Sequence, residues 1–261
     1  MKVAQPPLRI VIQLQSNANP DHSNAGISTR WKHDAIQLTM QRCEEFTDFS
    51  NHDAPVRGYL HRTSASGADC LILTHGAGSN CQSPLLLALA EAFCESGLTV
   101  LRCDLPFRQA RPSGPPTRGS AERDQKGLKA AVGAMRRLDA GSVLLGGHSY
   151  GGRQASMLAA TDPHLVECLL LLSYPLHPPK KPAELRTKHF PQLESPALFV
   201  HGLRDGFGTI AEMETALRLI PARTELLPIP DAGHELMTHR NREELIAQVT
   251  STFLSFLRTI G

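Results

Sequence analysis

The sequence predicts an α/β fold in which a mainly parallel central sheet is covered by helices on both faces. Short apolar runs, suited to buried strands, alternate along the chain with longer segments that have one apolar face, suited to helices. Such alternation is typical of parallel strands joined by crossover helices. The 261 residues, without an internal repeat, are enough for one large hydrophobic core.

The predicted strands are short runs rich in leucine, valine and isoleucine. They lie at residues 56–61, 70–74, 98–103, 142–145, 166–173, 196–200 and 225–230. We expect the first to be antiparallel, because no helical pattern separates it from the second. The predicted helices have an apolar stripe at helical spacing, and they lie at residues 83–96, 122–138, 153–160, 207–219 and 243–257.

The N-terminal part of the chain differs from the rest. Residues 1–38 are rich in Asn, Gln, Ser and Pro, and we interpret them as a disordered or loosely attached extension. The apolar stretch at residues 8–14 is too short for a secretory leader, although a transit peptide remains an alternative because acidic residues are scarce. Residues 39–261 are predicted to form a single domain, and translation from Met40 would keep every motif below.

Composition predicts an ordinary protein of the cytoplasm. A formal net charge of +2 gives no reason to expect nucleic acid as a partner. A mean hydropathy of -0.20, and no apolar run of about 18 residues, predict that no segment spans a membrane. The six cysteines have no metal-ligand spacing, so we expect reduced thiols and neither a metal nor an organic cofactor.

One short motif carries the strongest functional signal. Residues 146–152 are Gly-Gly-His-Ser-Tyr-Gly-Gly, between a predicted strand and a predicted helix. Gly-x-Ser-x-Gly in that position is typical of the nucleophile elbow of an α/β-hydrolase fold, which makes Ser149 the candidate nucleophile. Side chains at Gly147 or Gly151 are expected to collide with the neighbouring strand and helix. The alternative is a glycine-rich turn with an incidental serine.

A serine nucleophile needs a base and an orienting acid, which follow it in the order acid, then histidine, in this fold. Asp205 follows the predicted strand at 196–200, and His234 follows the one at 225–230. We therefore predict a triad of Ser149, Asp205 and His234. Asp205 has a second interpretation as a surface turn residue, because Asp before Gly is common in turns. Asp231 is a rival acid, but three residues before His234 leave it little room to reach the far ring nitrogen.

Acyl transfer also needs N–H donors for the oxyanion that develops on the attacked carbonyl. The backbone N–H of Tyr150, directly after the nucleophile, is the first candidate. The second is the N–H of Ala77, in the loop after the predicted strand at 70–74, because Gly76 and Gly78 allow the backbone to turn there. An alternative is that this loop only ends the strand.

These motifs also carry a family resemblance, over about residues 55–257. The chain resembles the dienelactone-hydrolase-like branch of the α/β-hydrolases, and more narrowly the hydrolase-like domain shared by a subunit of the NSL chromatin acetyltransferase complex and a testis-expressed protein. The segments that resemble this group are His-Gly-Ala-Gly at 75–78, residues 147–153, Tyr-Pro-Leu-His-Pro-Pro at 174–179, Leu-Arg at 185–186 and residues 201–205. Dienelactone hydrolases proper use a cysteine nucleophile, whereas this chain has Ser149.

Two stretches bear on the substrate. Residues 175–195 lie where many α/β-hydrolases carry a cap, and they leave no room for a helical cap domain, so we expect an open site. The loop at 105–123, with its arginines, could join Arg186 and nearby lysines in a basic rim for an anionic substrate; ordinary solvated charge is the preferred interpretation. His75, Phe107 and His177 are candidate substrate-binding residues.

The sequence as a whole therefore predicts a serine hydrolase, carboxylesterase-like, that acts on a small-molecule ester or related acyl substrate through an acyl-enzyme intermediate. A serine peptidase or amidase would use the same triad. A non-catalytic interaction module is the third hypothesis, since relatives implied by the resemblance occur in a protein complex. The oligomeric state is not predicted.

Overall fold

A computed structural model describes residues 42–138 and 140–260. Within them, eight strands form one sheet in the order β1-β2-β4-β3-β5-β6-β7-β8. The strands β1 and β2 are antiparallel to their neighbours, and β3 to β8 are parallel. The predicted fold class is confirmed. The expectations about residues 1–38, residues 8–14 and Met40 lie outside the described residues.

The strands have the following bounds: β1 Arg42–Asp48, β2 Val56–Arg62, β3 Cys70–Thr74, β4 Thr99–Cys103, β5 Val143–His148, β6 Cys168–Leu172, β7 Ala197–Gly202 and β8 Thr224–Ile229. Every residue of β3, β5, β6 and β7 is buried, as expected for central strands covered on both faces. The seven predicted strands are confirmed, with ends that differ by a few residues.

The helices have the following bounds: α1 Pro84–Glu95, α2 Pro106–Ala110, α3 Ser120–Arg137, α4 Tyr150–Thr161, α5 Ile210–Leu217 and α6 Arg242–Arg258. The five predicted helices are confirmed. The short helix α2 and the edge strand β1 were not predicted, because neither has the apolar periodicity on which the prediction depended. None of the helices in the described part of the chain is both long and apolar enough to cross a bilayer.

The sheet separates two apolar cores. Helices α1 and α6 cover one face, where Phe93 and Phe253 are fully buried and meet edge to face with their ring centroids 5.6 Å apart. Helices α3, α4 and α5 cover the other face, whose core includes Tyr174, Phe190 and Phe199. Covering both faces keeps the parallel strands out of water, and it leaves the strand ends as the place for polar chemistry.

All six cysteines are free thiols, and five of them are buried. Cys81, which lies near the predicted oxyanion loop, is 2% exposed. Its burial raises the pKa of the thiol to about 12, so this side chain stays protonated and structural near neutral pH. Most of the thiols are thus packed in the core, and their reduced state in the cell stays a prediction.

Candidate active site

The predicted nucleophile elbow lies between β5 and α4. Ser149 has φ 51° and ψ -113°, a left-handed conformation that a residue with a side chain rarely adopts. Its backbone N–H donates to the carbonyl of Leu172 in β6 at 2.8 Å, and its carbonyl accepts the N–H of Arg153 at 3.0 Å. These two hydrogen bonds hold the strained residue between sheet and helix.

The glycines around Ser149 are required by close packing. A Cβ atom at Gly147 would lie 2.8 Å from the backbone of Gly151, and one at Gly151 would lie 2.6 Å from the carbonyl oxygen of His75. Real Cβ atoms essentially never come this close, so any side chain would displace backbone. The collision predicted from the sequence is confirmed, and the lack of side chains at these positions lets α4 begin directly after Ser149.

The structure brings Ser149, His234 and Asp205 into one chain of hydrogen bonds. Ser149 Oγ lies 2.7 Å from His234 Nε2, and His234 Nδ1 lies 2.8 Å from Asp205 Oδ2 and 3.0 Å from Asp205 Oδ1. Because His234 Nδ1 faces a carboxylate, it carries the ring proton, which leaves Nε2 free to accept the proton of Ser149. Ser149, Asp205 and His234 lie in the loops that follow β5, β7 and β8, at one edge of the sheet.

Asp205 is held as a carboxylate despite its burial. Its side chain has no exposed surface. Burial alone raises the pKa of this carboxyl group, but the hydrogen bond and charge of His234, with the N–H of Phe207 at 2.8 Å, outweigh burial and lower the pKa below its usual value. Asp205 therefore stays charged at neutral pH and orients the imidazole.

The rival acid, Asp231, lies elsewhere. Its side chain is 80% exposed and forms a salt bridge with Arg204. It therefore points away from the imidazole of His234, which is bound to Asp205 through Nδ1. This geometry favours Asp205 over Asp231, and it does not support the alternative of Asp205 as a surface turn residue.

Two aromatic side chains that sequence reasoning missed fix the imidazole. The ring of Phe207 stacks on that of His234 with 4.1 Å between the centroids. His148, directly before the nucleophile, donates through Nε2 to the carbonyl oxygen of His234 at 2.8 Å. Phe207 follows Asp205 by two residues, but no local pattern distinguishes it from an ordinary loop aromatic.

The predicted oxyanion loop is oriented by a buried histidine. His75 Nε2 accepts the N–H of Leu105 at 3.1 Å, so the ring proton is on Nδ1, which donates to the carbonyl of Gly76 at 2.9 Å. The N–H of Ser79 donates to the same oxygen at 3.1 Å. In a trans peptide, the N–H of Ala77 points opposite to that carbonyl, so both hydrogen bonds fix its direction.

Arg108 holds the same loop from the other side. Its guanidinium donates to the carbonyls of Ser79 at 2.7 Å, Ala77 at 2.9 Å and Gly114 at 3.1 Å. The side chain is 6% exposed. For Arg108, both the basic rim and the preferred interpretation of ordinary solvated charge are therefore wrong, because its buried guanidinium donates to backbone carbonyls.

Tyr150 is fixed by a buried carboxylate that the sequence did not reveal. Its hydroxyl donates to Asp124 Oδ2 at 2.7 Å, and Asp124 Oδ1 accepts the N–H of Phe107 at 3.0 Å. Asp124 is fully buried, and burial raises its pKa more than these hydrogen bonds lower it. The N–H of Tyr150 is the first of α4, where helix geometry provides no internal acceptor.

The three candidate substrate-binding side chains are buried. His75 has no exposed surface, so the prediction that it contacts substrate is wrong: both ring nitrogens are bound to backbone. Phe107 is 6% exposed, with its ring against those of His75 and Tyr150 at 5.6 Å. His177 is also 6% exposed, and its Nδ1 donates to Pro178 O at 2.8 Å. Contact of Phe107 and His177 with substrate stays a prediction.

The interval between β6 and β7 has no cap domain. Between Leu172 and Ala197 its one helical element is a 3-10 turn at Phe190–Gln192. The segment is closed on itself by the hydroxyl of the fully buried Tyr174, which donates to the carbonyl of Arg186 at 2.6 Å. The expected lack of a large cap is confirmed.

Comparisons with known proteins agree with this architecture. The dienelactone hydrolase from Anabaena variabilis superposes with a TM-score of 0.65 at 20% identity, over 82% of this chain and 98% of that one. An alpha-beta serine hydrolase homologue from Coxiella burnetii gives 0.64 at 20% identity, over 80% and 96%. An esterase from Pyrococcus furiosus gives 0.66 at 18% identity, over 85% and 92%. At these identities the likeness shows a shared fold.

A family model independently covers most of the chain. The model described as an alpha/beta hydrolase domain matches residues 67–258. That interval runs from just before β3 into the last turn of α6, and it contains the elbow and the loops after β7 and β8. The chain therefore belongs to the alpha/beta-hydrolase family.

Proposed function

We propose that this protein is a serine hydrolase that cleaves a carboxylic ester through an acyl-enzyme intermediate. The observation that supports this most directly is the hydrogen-bonded order of Ser149 Oγ, the His234 imidazole and the Asp205 carboxylate, at 2.7 Å and 2.8 Å. A serine hydroxyl becomes a strong nucleophile when such a base accepts its proton. The family assignment and the esterase among proteins of this fold support the same reaction class.

The reaction has two halves. Ser149 Oγ attacks the ester carbonyl carbon while its proton moves to His234 Nε2, and the resulting imidazolium donates that proton to the leaving alcohol oxygen as the C–O bond breaks. A water molecule then gives a proton to His234 and attacks the acyl carbon. The acyl–serine bond breaks, the carboxylic acid leaves, and Ser149 recovers its proton. Asp205 stabilises the imidazolium in both halves.

In this proposal, the N–H groups of Ala77 and Tyr150 stabilise the oxyanion. His75 and Ser79 fix the direction of the first, and the start of α4 leaves the second without a helical acceptor. Donors of this kind contribute about 3–4 kcal/mol of transition-state stabilisation in serine hydrolases, because they need no reorganisation.

Labelling with a fluorophosphonate probe tests the proposed nucleophile. We expect the purified protein to be labelled, and the Ser149→Ala variant to lose the label and at least ~10³-fold in ester turnover. Ser251→Ala, which removes a hydroxyl from an exposed position of α6, is the control and should keep the label. A folded wild-type protein that takes no label would contradict the proposal and favour an interaction module.

A panel of matched esters and amides then separates esterase from peptidase or amidase. Each pair shares an acyl group and differs in the leaving group, alcohol or amine. We expect turnover of the esters. Cleavage of the amides at comparable kcat/KM would show an amidase that uses the same triad.

A further inference from the structure

Two arginines beside the elbow have no acidic partner. Arg153 lies in the first turn of α4, four residues after Ser149, and Arg186 lies in the segment between β6 and β7. Within residues 42–138 and 140–260, neither guanidinium forms an ion pair with an Asp or Glu carboxylate. The Nε atom of Arg153 is buried without a hydrogen-bond acceptor. An unsatisfied buried donor is destabilising, and a bound acceptor would offset that cost.

Backbone contacts fix the position of Arg186. Its carbonyl accepts the Tyr174 hydroxyl at 2.6 Å, and its N–H donates to the carbonyl of Leu176 at 2.8 Å. The guanidinium donates through Nη1 to the carbonyl of Pro175 at a long 3.3 Å, which leaves its other N–H groups available. These bonds hold Arg186 against residues 174–176, the part of the segment that directly follows β6.

A second contact ties this segment to the turn of α4 that carries Arg153. Ser156 Oγ donates to the carbonyl of Arg153 at 3.0 Å and lies 2.8 Å from His189 Nε2. Because a serine has one hydroxyl proton, the His189 ring is the donor in the second bond. Arg186 and His189 therefore approach α4 from one segment, with Arg153 facing them.

The pKa shifts of Arg186 and His189 agree with a position close to the positive charge of Arg153. Burial lowers the pKa of the Arg186 guanidinium, and the positive charge of Arg153 lowers it further. Burial, and then Arg153, lower the pKa of His189 to about 4. The same charge also acts on the hydroxyl of Tyr150, next to the nucleophile. Glu184 acts on Arg186 as well, but its carboxylate is exposed and bound to Lys181 Nζ at 2.8 Å.

We propose that Arg153 and Arg186 form a binding site for an oxyanion group of the substrate, a carboxylate or a phosphate. This inference rests on the proposed hydrolase function, since it assigns the charge of the molecule that Ser149 attacks. Arg153 follows Ser149 by four positions, which corresponds to a rise of about 6 Å along the helix axis. A short acyl chain attached to Ser149 could therefore reach an anion site formed by the two arginines. Arginine is suited to this role because its planar fork binds carboxylate or phosphate through two parallel N–H groups.

A pair of esters that differ only in charge tests the site. The probes are 4-nitrophenyl hydrogen glutarate, which carries a free carboxylate, and its methyl ester, in which that carboxylate is masked. We expect kcat/KM for the acid to exceed that for the methyl ester by about tenfold to a hundredfold, mainly through KM, which corresponds to one or two charge-assisted hydrogen bonds.

Substitutions then assign the preference to the two arginines. In Arg153→Gln and Arg186→Gln, the ratio of the two kcat/KM values should fall to about one. Arg153→Lys, which keeps the charge without the planar fork, should retain part of the ratio. Arg218→Gln removes an equal charge from an exposed position after α5 and should leave the ratio at its wild-type value. A ratio that survives in both glutamine variants would overturn the proposal.

Failure of the inference and failure of the proposed function give different results. If the methyl ester is hydrolysed without any preference for the acid, the hydrolase stands and the anion site is wrong. If neither ester is hydrolysed and no fluorophosphonate label appears, the proposed function is wrong.

Binding by the Ser149→Ala variant tests the site without turnover. Calorimetric titration of this variant with glutarate, and separately with inorganic phosphate, should detect at least one of the two anions. The stronger of the two identifies the group that the arginines prefer. Binding should be lost when Arg153→Gln is added. Equal binding with and without Arg153, or no binding of either anion, would contradict the inference.

Discussion

The charged carboxylate of Asp205 determines which nitrogen of His234 carries the ring proton. This carboxylate is fully buried, yet the hydrogen bond and charge of His234 keep its pKa below the usual value. The carboxylate is therefore ionised wherever the enzyme would work, and His234 Nδ1 must carry the proton that faces it.

Asp205→Asn is expected to lower kcat about 10³- to 10⁴-fold while the protein stays folded, provided that the proposed triad is catalytic. An amide can donate to His234 Nδ1, which would move the ring proton to Nε2 and prevent the imidazole from accepting the proton of Ser149. Steady-state kinetics on a 4-nitrophenyl ester measures the effect. Asp231→Asn is the matched control on a neighbouring loop, and kcat should stay within about twofold; an equal loss there would make Asp231 the acid.

Ser149, Asp205 and His234 could be predicted because their order along the chain, and their positions after strands, can be read from the sequence itself. The contacts that support these residues join positions far apart in the sequence and cannot be read from it. Asp124 reaches Tyr150 from another helix, and Phe207 meets His234 only after two loops have folded together. His75 illustrates the converse: its place beside the predicted oxyanion loop suggests a substrate contact, but both of its ring nitrogens bind backbone groups.

At the scale of elements, apolar runs predicted the central strands well, because burial on both faces requires them. The edge strand β1 has the sequence Arg-Cys-Glu-Glu-Phe-Thr-Asp, whose polar residues conceal it until its pairing with β2 is known. Helix α5 begins at Ile210 and not at residue 207. Its start is set by a capping box between Thr209 and Glu212, a signal that was present in the sequence.

The pairing of β2 with β4 contains a buried basic pair with a consequence for acid stability. His61 is 3% exposed, and its Nε2 accepts the N–H of Arg102 Nε at 2.9 Å. Burial, and then the charge of Arg102, lower the pKa of His61 to about 4. Folded and unfolded chains therefore differ in bound protons between about pH 6.5 and pH 4, where the unfolded chain binds more.

The free energy of unfolding should fall on acidification through this window, and His61 should account for about 2 kcal/mol of the loss between pH 7 and pH 5. His61→Gln, which keeps an acceptor for Arg102 without a titrating ring, should remove that share. Urea unfolding of both proteins at the two pH values measures it. The exposed His52→Gln is the control, and a pH dependence that is the same in all three proteins would contradict the assignment.

The whole molecule is stabilised by two cores that the sheet keeps apart. The core under α1 and α6 lies away from the elbow helix α4, which packs on the opposite face.

The narrower resemblance to the chromatin-complex subunit and the testis-expressed protein stays a prediction, as do the place of the protein in the cytoplasm and the lack of a nucleic-acid partner.

Phe253→Ala should destabilise the protein by about 3–5 kcal/mol, because it removes a fully buried ring that packs against Phe93 of α1. Denaturant unfolding measures this loss, and fluorophosphonate labelling at low temperature should persist because α4, which follows Ser149, packs against the opposite core. Ser255→Ala, at an exposed position of the same helix, should change stability by less than about 0.5 kcal/mol. Loss of labelling in a folded Phe253→Ala protein would show that the change reaches the His234 loop, whose Ala232 and Leu236 pack in the same core as Phe253.

The glycine that ends β7 has a kinetic consequence. A Cβ atom at Gly202 would lie 2.6 Å from the carbonyl oxygen of Gly233, and the N–H of Arg204 donates to the carbonyl of Ala232 at 2.9 Å. The loops that carry Asp205 and His234 are therefore joined backbone to backbone, with no space between them for even a methyl group. Asp205 and His234 are therefore already hydrogen-bonded without a bound ligand, and the proposed acid and base need no rearrangement of these two loops to meet.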